Sequence, residues 1–312
     1  MPSITVVGSV NHDVVLQVHD LPKPGETVHA VGSRRGVGGK GANQAVAAAR
    51  LGSAVRLVAK VGDDAADLLA SLAADGVDTR WIAAGGGTRT GMALITVDER
   101  GENVIVLDGG ANQDLTVAEL PEILGAVGDV LMVQGEIPPE VTAAAITRAS
   151  AQGATVILNP APAYAFATEV LERVDVLVPN LGELCTLLGE PVPAALTDVE
   201  HLVATRPLPA AALVVTLGAA GALVRDRDGM VHLPAPRVAA VDTVGAGDTF
   251  CGALADSIAR GLPLRAAAER AVLAAAISVT GLGAQQAMPT AAQLALFTRP
   301  EAVPPQPAVI AK

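Results

Sequence analysis

Residues 241–254, VDTVGAGDTFCGAL, place Asp248 directly after a run of small residues. An alanine- and leucine-rich helix is predicted here, so Gly245, Ala246 and Gly247 would lie at its N-terminus, where backbone N–H groups and a partial positive charge bind anions. Asp248 would lie in the first turn, where its carboxylate could accept a proton from an attacking hydroxyl. The segment therefore predicts a base beside a site for a transferring phosphoryl group. A carboxylate that only complements the helix dipole is the alternative.

A second glycine cluster, GVGGKGANQAVAAARLG at residues 36–52, leads into another predicted helix. Its glycines allow a ligand to approach the backbone closely, Lys40 supplies a positive charge, and Asn43 offers both a donor and an acceptor. This set suits a polyhydroxylated ligand, although a plain glycine-rich lead into a helix is the alternative. The spacing also matches G-x-G-x-x-G, which would indicate an NAD-dependent dehydrogenase, but that fingerprint must follow the first strand of the fold.

The elements that must position these residues alternate along the chain as short β-branched runs and alanine-rich helical stretches. The β-branched runs are ITVVGSV, VRLVAKVG, VLMVQGE, TVILNPAP, VDVLVPN and AALVVTLG. This rhythm predicts an α/β fold with a doubly wound, mostly parallel sheet and helices on both faces. We expect polar residues at the carboxyl ends of these strands to line the binding crevice. They are Asn11 and Asp13 after the first strand, then Glu136, Asn159, Asn180 and Gly218.

Two stretches that look like hairpins, residues 14–35 and 88–107, interrupt this rhythm. We predict that they form a small β-sheet, which serves as a lid and as a dimer surface. The α/β core would then comprise residues 1–13, 36–87 and 108–298. The proline-rich tail, residues 299–312, is predicted to be disordered.

Length and composition exclude several classes of protein. The 312 residues suit one large domain, since single cores stop growing at roughly 250–300 residues. A net charge of -11 argues against binding to nucleic acid duplexes or membrane surfaces, and the one Trp, one Tyr and three Phe leave few rings to stack on bases. Two cysteines, no signal peptide and no apolar run of about 18 residues predict a cytoplasmic protein.

Together the two glycine clusters resemble the two signatures of the ribokinase-like (phosphofructokinase-B) family of carbohydrate kinases. The resemblance extends to about residue 298 and includes GSVNHD near the start, PGET at 24–27, GEN at 101–103, NPAPA at 159–163, TLGAAG at 216–221 and GAQ at 283–285. It implies ATP-dependent phosphorylation of D-ribose at the 5-hydroxyl, giving ribose 5-phosphate. It also implies a homodimer that pairs through the lid sheet.

The resemblance assigns site residues position by position. The sugar site falls on Asn11, Asp13, Gly39, Lys40, Asn43, Glu136 and Asp248, with Asp248 as the base and Gly245, Ala246 and Gly247 as the anion hole. The nucleotide site falls on Asn180, Thr216, Gly218 and Gly221, and Glu183 organises water-bound magnesium. The potassium site falls on Asp242, Val244, Ser278, Gly281 and Gly283. For Asn180 the alternative is a helix cap.

The sequence departs from the family pattern at a few positions. Gly281 stands where Arg is common, Ala287 where a hydroxyl residue can occur, and Val272 and Leu273 where Asn or His is common. Another sugar or nucleoside kinase of the family, such as a deoxyribokinase, fructokinase or pseudouridine kinase, is the first alternative. A sugar-binding module without catalysis is a more distant one, against which the retained Asp248 argues.

Overall fold

The computed structural model describes residues 2–297, so the tail predicted to be disordered lies outside the described residues. The strands are β1 (Ser3–Val7), β2 (Asn11–Gln17), β3 (Gly32–Gly38), β4 (Ala54–Val61), β5 (Val77–Asp78), β6 (Ile82–Ala84), β7 (Gly91–Val97), β8 (Asn103–Asp108), β9 (Val130–Val133), β10 (Thr155–Leu158), β11 (Val176–Leu177), β12 (Ala212–Thr216), β13 (Ala222–Asp226) and β14 (Gly229–Leu233).

Helices separate most of these strands. They are α1 (Lys40–Arg50), α2 (Ala66–Ala74), α3 (Pro139–Ala151), α4 (Thr168–Leu171), α5 (Leu181–Leu188), α6 (Leu196–Thr205), α7 (Ala246–Ala259), α8 (Leu264–Ser278), α9 (Ala284–Ala287) and α10 (Ala291–Leu296). Among the helices of residues 2–297, none combines the length and the apolarity needed to cross a bilayer.

The large sheet has the strand order β14-β13-β12-β11-β10-β9-β1-β4-β5, and β6 also pairs with β4. All six runs predicted as strands lie in its parallel part, as β1, β4, β9, β10, β11 and β12. The pairs β12–β13 and β13–β14 are antiparallel. The strand order changes direction at β1, where β4 lies on one side and β9 on the other, so the predicted doubly wound, mostly parallel sheet is confirmed. A crevice at the carboxyl ends of β1 and β9 follows from this order.

Both faces of the large sheet are buried, because side chains along a strand alternate between its faces. In β1, Ile4 and Val6 join an apolar cluster with helices α1, α7 and α8. Val7 points to the other face and joins a second cluster with α3 and α5. The near-continuous apolar strands therefore reflect helices that cover both faces, as is usual for parallel sheets.

A separate four-stranded sheet has the order β3-β2-β7-β8, which confirms the prediction of a small second sheet. Its outer pairs, β2–β3 and β7–β8, are antiparallel, and its central pair, β2–β7, is parallel. One face buries Val15, Ala93 and Ile95. The opposite face presents apolar residues to solvent.

The first strand is shorter than the sequence predicts. Strand β1 ends at Val7, and Asn11 and Asp13 lie in β2, the first strand of the small sheet. The expectation that Asn11 and Asp13 end the first strand is therefore wrong. The Gly8 N–H still donates to the Val58 carbonyl, after which the chain leaves the large sheet. A Cβ on Gly8 would overlap the Gln134 side chain, so the chain can turn away there only with glycine.

Candidate active site

Helix α7 begins as predicted, with Gly245 as its N-cap and Asp248 in its first turn. Gly245 has a φ of 77°, which favours glycine, and a Cβ there would lie 2.9 Å from Ala284. A Cβ on Gly247 would meet nothing within 4 Å, so the backbone at this turn faces open space. Asp248 is 8% exposed and lines a cavity. The helix N-terminus can therefore receive an anion directly beside a carboxylate.

Amide side chains hold the Asp248 carboxylate from two sides. Asn43 Nδ2 donates to Asp248 Oδ2 at 3.0 Å, and Gln44 Nε2 donates to Asp248 Oδ1 at 3.1 Å. Gln285 Nε2 in turn donates to Asn43 Oδ1 at 2.9 Å. Asn43 and Gln44 are consecutive residues of α1, which packs against α7. The two glycine clusters of the sequence thus meet through the helices that follow them.

The predicted sugar residues cluster around the N-terminus of α1. Glu136 follows β9, and its Oε2 accepts hydrogen bonds from Ser9 Oγ at 2.6 Å and from the Lys40 backbone N–H at 3.1 Å. Gly39, with a φ of 87°, is the N-cap of α1 and allows this approach. A Cβ on Gly38 would overlap the Asp13 carboxylate, which explains a glycine in this strand.

Asn11 is oriented by a residue that the sequence analysis did not identify. Asn112 Nδ2 donates to Asn11 Oδ1 at 2.7 Å, and Asn112 Oδ1 accepts the Val10 N–H at 2.9 Å. Asn11 and Asn112 are 4% and 2% exposed, so both amides are fixed in the interior. Asn11 therefore belongs to the wall between the small sheet and the core.

The charges of the site raise several pKa values. Burial and, to a smaller extent, the nearby carboxylates of Glu136 and Asp248 raise the pKa of Asp13 to about 7, against the opposing effect of Arg34. Burial alone would lower the pKa of Lys40, but the carboxylates of Asp248, Glu136 and Glu183 raise it above its ordinary value. Lys40 therefore carries its charge as the counter-ion of several acidic groups. Acidic groups outnumber this ammonium, so the site favours a further positive charge.

Two cavities adjoin at the N-terminus of α7. The larger, of about 540 Å³, is lined mainly by small and apolar residues, among them Gly218, Gly221 and Val272. The smaller, of about 220 Å³, is lined by polar residues that include Lys40 and Asp248. Thr216 and Gly247 line both cavities. An apolar chamber that opens onto a charged one suits a ligand with a flat apolar end and an anionic end.

Asn180 and Glu183 form a capping box at the start of α5. Asn180 Oδ1 accepts the Glu183 N–H at 2.8 Å, and Glu183 Oε2 accepts the Asn180 N–H at 2.8 Å. The helix-cap alternative for Asn180 is therefore confirmed, and it is compatible with a second role for both residues. Both residues also line the smaller cavity beside Lys40, and Asn180 bridges to Thr216 at the end of β12. Burial raises the pKa of Glu183, so a nearby cation would favour its charged form.

Asp242 is held by three donors. Its carboxylate accepts the Val244 N–H at 3.0 Å and the Gly283 N–H at 2.9 Å, and Arg34 Nη2 lies 3.0 Å from Oδ2. Burial would raise the pKa of Asp242, but these donors hold it below its ordinary value. Arg34 comes from β3 of the small sheet, so this ion pair ties that sheet to the loop before α7.

Ser278 and Gly281 complete the predicted potassium residues. Ser278 is 2% exposed, and its hydroxyl donates to the Ala275 carbonyl of its own helix. A Cβ on Gly281 would lie 3.0 Å from the Ala287 Cβ, so the two departures from the family pattern are adjacent in space. Among the described residues, no group of three or more His, Cys, Asp or Glu side chains could hold a metal ion.

Sequence reasoning missed the residues that support the site. Gln44 stands beside Asn43 in the second glycine cluster, a signal that could have been used. Arg34 and Asn112 are isolated polar residues in segments without a motif, and only the folded chain brings them to Asp242 and Asn11.

Comparison with protein families identifies the family of this chain. A sequence profile described as pfkB family carbohydrate kinase matches residues 1–291. The chain belongs to the pfkB family of carbohydrate kinases. It is therefore a sugar kinase, and the predicted family is confirmed. The dehydrogenase alternative fails, because the glycine cluster at residues 36–52 follows β3 of the small sheet and not β1.

Relatives of this pfkB-family sugar kinase are named for two different sugars. Ribokinase of Schizosaccharomyces pombe is 38% identical over 305 residues, which cover 93% of this chain and 96% of that protein. Deoxyribokinase of Salmonella typhi is 38% identical over 299 residues, covering 93% and 96% respectively. A solved structure of Arabidopsis thaliana ribokinase complexed with ribose and ATP matches with a TM-score of 0.83 at 30% identity, covering 95% of this chain and 99% of that chain.

Proposed function

We propose that this kinase transfers the γ-phosphoryl group of ATP to the 5-hydroxyl of D-ribose, giving ribose 5-phosphate. The observation that carries the proposal is the position of Asp248, a buried carboxylate at the N-terminus of α7 that faces the cavity containing Lys40. The Arabidopsis relative complexed with ribose and ATP supports both substrates. We also propose a cytoplasmic location, where ATP is abundant.

We propose the following roles for the groups of the site. Asp248 takes the proton of the 5-hydroxyl while the oxygen of that hydroxyl attacks the γ-phosphorus. The bond between the γ-phosphorus and the oxygen that bridges to the β-phosphate breaks, and ADP leaves. The backbone N–H groups of Gly245 and Gly247 would face the transferring phosphoryl oxygens, which are most negative in the transition state, whereas the Ala246 N–H donates to the Thr243 carbonyl at 3.3 Å. Lys40 adds positive charge in the same cavity. Positioning and charge stabilisation then supply most of the acceleration.

The nucleotide is proposed to lie across the two cavities. Its base and ribose would occupy the larger one, against Gly218, Gly221 and Val272, and its phosphates would reach the smaller one past Thr216. Magnesium fits beside Glu183 and Asn180 if it is held through water, because this ion keeps several waters and the capping box already uses the Asn180 oxygen and one Glu183 oxygen. When bound, it would supply neutralising charge to the phosphates.

Potassium fits less well at Asp242. The Arg34 guanidinium already lies against the carboxylate that would be its anionic ligand, and two backbone N–H groups use the same carboxylate. We therefore derive no step through potassium. Dependence on potassium stays a prediction from the family resemblance.

Asp13, Asn11, Glu136 and Asn43 are proposed to bind the sugar hydroxyls. The small sheet, which carries Asn11 and Asp13 on β2, is proposed to act as a lid that excludes water from the phosphoryl group. We propose as well that its apolar outer face pairs with a second copy of the chain.

Phosphorylation of 2-deoxyribose is the second candidate function. The S. typhi deoxyribokinase and the S. pombe ribokinase are equally identical to this chain, at 38%. The polar set at the sugar site favours an acceptor with a 2-hydroxyl, because a polar group left unpaired in a site costs binding.

Two measurements test the proposal. In a panel of D-ribose, 2-deoxyribose, fructose and pseudouridine with magnesium-ATP, we expect the highest kcat/KM for D-ribose. Replacing Asp248 with Asn should lower kcat by about 100-fold or more while the protein still binds ATP. Turnover of the Asp248→Asn variant within a few-fold of the parent would remove Asp248 from the role of base, and sugar binding without turnover by the parent would favour the sugar-binding module.

A further inference from the structure

We propose that Gln44 is a positioning residue that fixes the orientation of the Asp248 carboxylate. This inference rests on the proposed role of Asp248 as the base. Gln44 does not line the cavity that contains Asp248, so it would act on the reaction only through that carboxylate.

Gln44 is fully engaged in hydrogen bonds. It is 1% exposed, and its Nε2 donates to Asp248 Oδ1 at 3.1 Å and to Asn159 Oδ1 at 3.0 Å. Its Oε1 accepts a hydrogen bond from Gln134 Nε2 at 2.7 Å. Both amide protons and the amide oxygen are therefore used in the interior, where a broken hydrogen bond is costly.

The orientation of the Gln44 amide is determined by its neighbours. Asn159 Nδ2 donates to the Val178 carbonyl at 2.8 Å, so Asn159 must present its oxygen to Gln44. If the Gln44 amide were reversed, its oxygen would face two other acceptors, the Asp248 carboxylate and the Asn159 oxygen. The network therefore permits only the arrangement in which Gln44 donates to Asp248.

The far end of the network carries an energetic cost. Gln134 is fully buried, and no donor from the described residues reaches its Oε1. Gly8 packs against this oxygen, since a Cβ there would overlap it. An apolar side chain at position 134 would avoid the unsatisfied acceptor. A glutamine at position 134 is explained if its side chain is needed to hold Gln44 and, through Gln44, Asp248.

A base needs a lone pair aimed at the hydroxyl proton, and rotation of the carboxylate would misdirect it. Asn43 fixes Oδ2 and Gln44 fixes Oδ1, so the plane of the Asp248 carboxylate is set by two donors from consecutive residues of α1. Loss of one donor should lower kcat more than it changes substrate binding.

The test is a double-mutant cycle with Gln44→Met, which keeps the length of the side chain and removes both donors. In the parent background we expect kcat to fall by about 10- to 100-fold, with KM for D-ribose and ATP within about threefold. In the Asp248→Asn background we expect the same substitution to change the residual kcat by less than about twofold, because Gln44 would have no carboxylate left to orient.

Two further variants separate positioning from folding. Gln134→Met releases Gln44 and exchanges the unsatisfied Gln134 oxygen for an unsatisfied Gln44 oxygen, so it should lower kcat with little change in the melting temperature. Ser257→Ala removes another fully buried polar group from α7 and should leave kcat unchanged. If Gln44→Met does not fold, Gln134→Met decides the question alone.

The outcomes distinguish this inference from the proposed function. An Asp248→Asn variant with near-parental kcat overturns the base and the positioning role together. If Asp248→Asn is inactive while Gln44→Met and Gln134→Met keep kcat within about threefold of the parent, only the positioning role is overturned. A further loss of about tenfold when Gln44→Met is added to Asp248→Asn also overturns it, because Gln44 would then act independently.

Discussion

At the scale of single residues, the site concentrates acidic groups around one lysine. Burial, together with the carboxylates of Glu136 and Asp248, raises the pKa of Asp13 to about 7, and Glu183 contributes to the raised pKa of Lys40. Such perturbed groups gather at functional sites because the surrounding fold holds like charges together at a cost in stability. The Lys40 ammonium offsets part of that repulsion.

Asp13 should make stability depend on pH. Its pKa is raised from an ordinary value of 3.8 to about 7, so the folded protein binds more protons than the unfolded chain between these values. Stability should therefore fall as pH rises from about 4 to about 7 through this group. Asp13→Asn should raise the melting temperature more at pH 8 than at pH 5, as thermal unfolding at both values would show. The exposed Asp63→Asn is the control, and an equal effect at the two pH values would contradict the prediction.

At the scale of elements, the N-terminus of α7 uses two glycines for different reasons. Gly245 is required by its positive φ and by its contact with Ala284, whereas Gly247 has open space around it. A side chain at position 245 therefore disturbs the fold, and one at position 247 enters the cavity.

Matched alanine substitutions separate these two requirements. Gly245→Ala should lower the melting temperature by several degrees, because it combines backbone strain with a steric overlap. Gly247→Ala should leave the melting temperature unchanged or slightly raised, and lower kcat by about tenfold or more by obstructing the proposed anion hole. Thermal unfolding and steady-state kinetics measure both. Parental kcat in Gly247→Ala would argue that phosphoryl transfer takes place elsewhere.

The ion pair between Arg34 of β3 and Asp242 in the loop before α7 predicts how the activity responds to monovalent cations. Arg34 supplies positive charge to Asp242, so its removal should leave that carboxylate open to another cation. Arg34→Met should increase the stimulation of activity by potassium chloride relative to choline chloride. The neighbouring exposed Arg35→Met is the matched control. Equal stimulation of Arg34→Met and the parent would show that Arg34 does not substitute for a cation.

At the scale of the whole molecule, the small sheet exposes apolar residues on its outer face. Leu94, Val104 and Val106 share its outer face and are 41%, 53% and 59% exposed. Contiguous exposed apolar residues on a chain with a net charge of -11 mark a contact surface. This distribution supports the proposed homodimer.

A charge on this face should disrupt the dimer. Val106→Glu would bury an unpaired carboxylate in the proposed interface, so sedimentation or light scattering should show a shift from dimer to monomer. Val127→Glu is the control, since Val127 is 89% exposed on another part of the surface. A parent that is monomeric, or a Val106→Glu variant that remains dimeric, would contradict the prediction.

The sequence by itself determined which segments form the parallel strands, where the two glycine-rich helix starts lie, and the capping position of Asn180. These features are local, because strand periodicity, helix capping and glycine conformations depend on neighbours along the chain. The family signatures rest on the same short segments, so the candidate base and anion hole could be predicted from them.

Only the tertiary structure decided which polar residues support the site. Gln44 meets Gln134 across 90 positions of sequence, and Arg34 meets Asp242 across 208. Such pairs arise from the strand order and from helix packing across the sheet, which no local pattern encodes. The same reason explains the misplaced Asn11 and Asp13: a polar residue after a strand can end it or begin the next one, and the hydrogen-bonding partners of β2 decided the outcome.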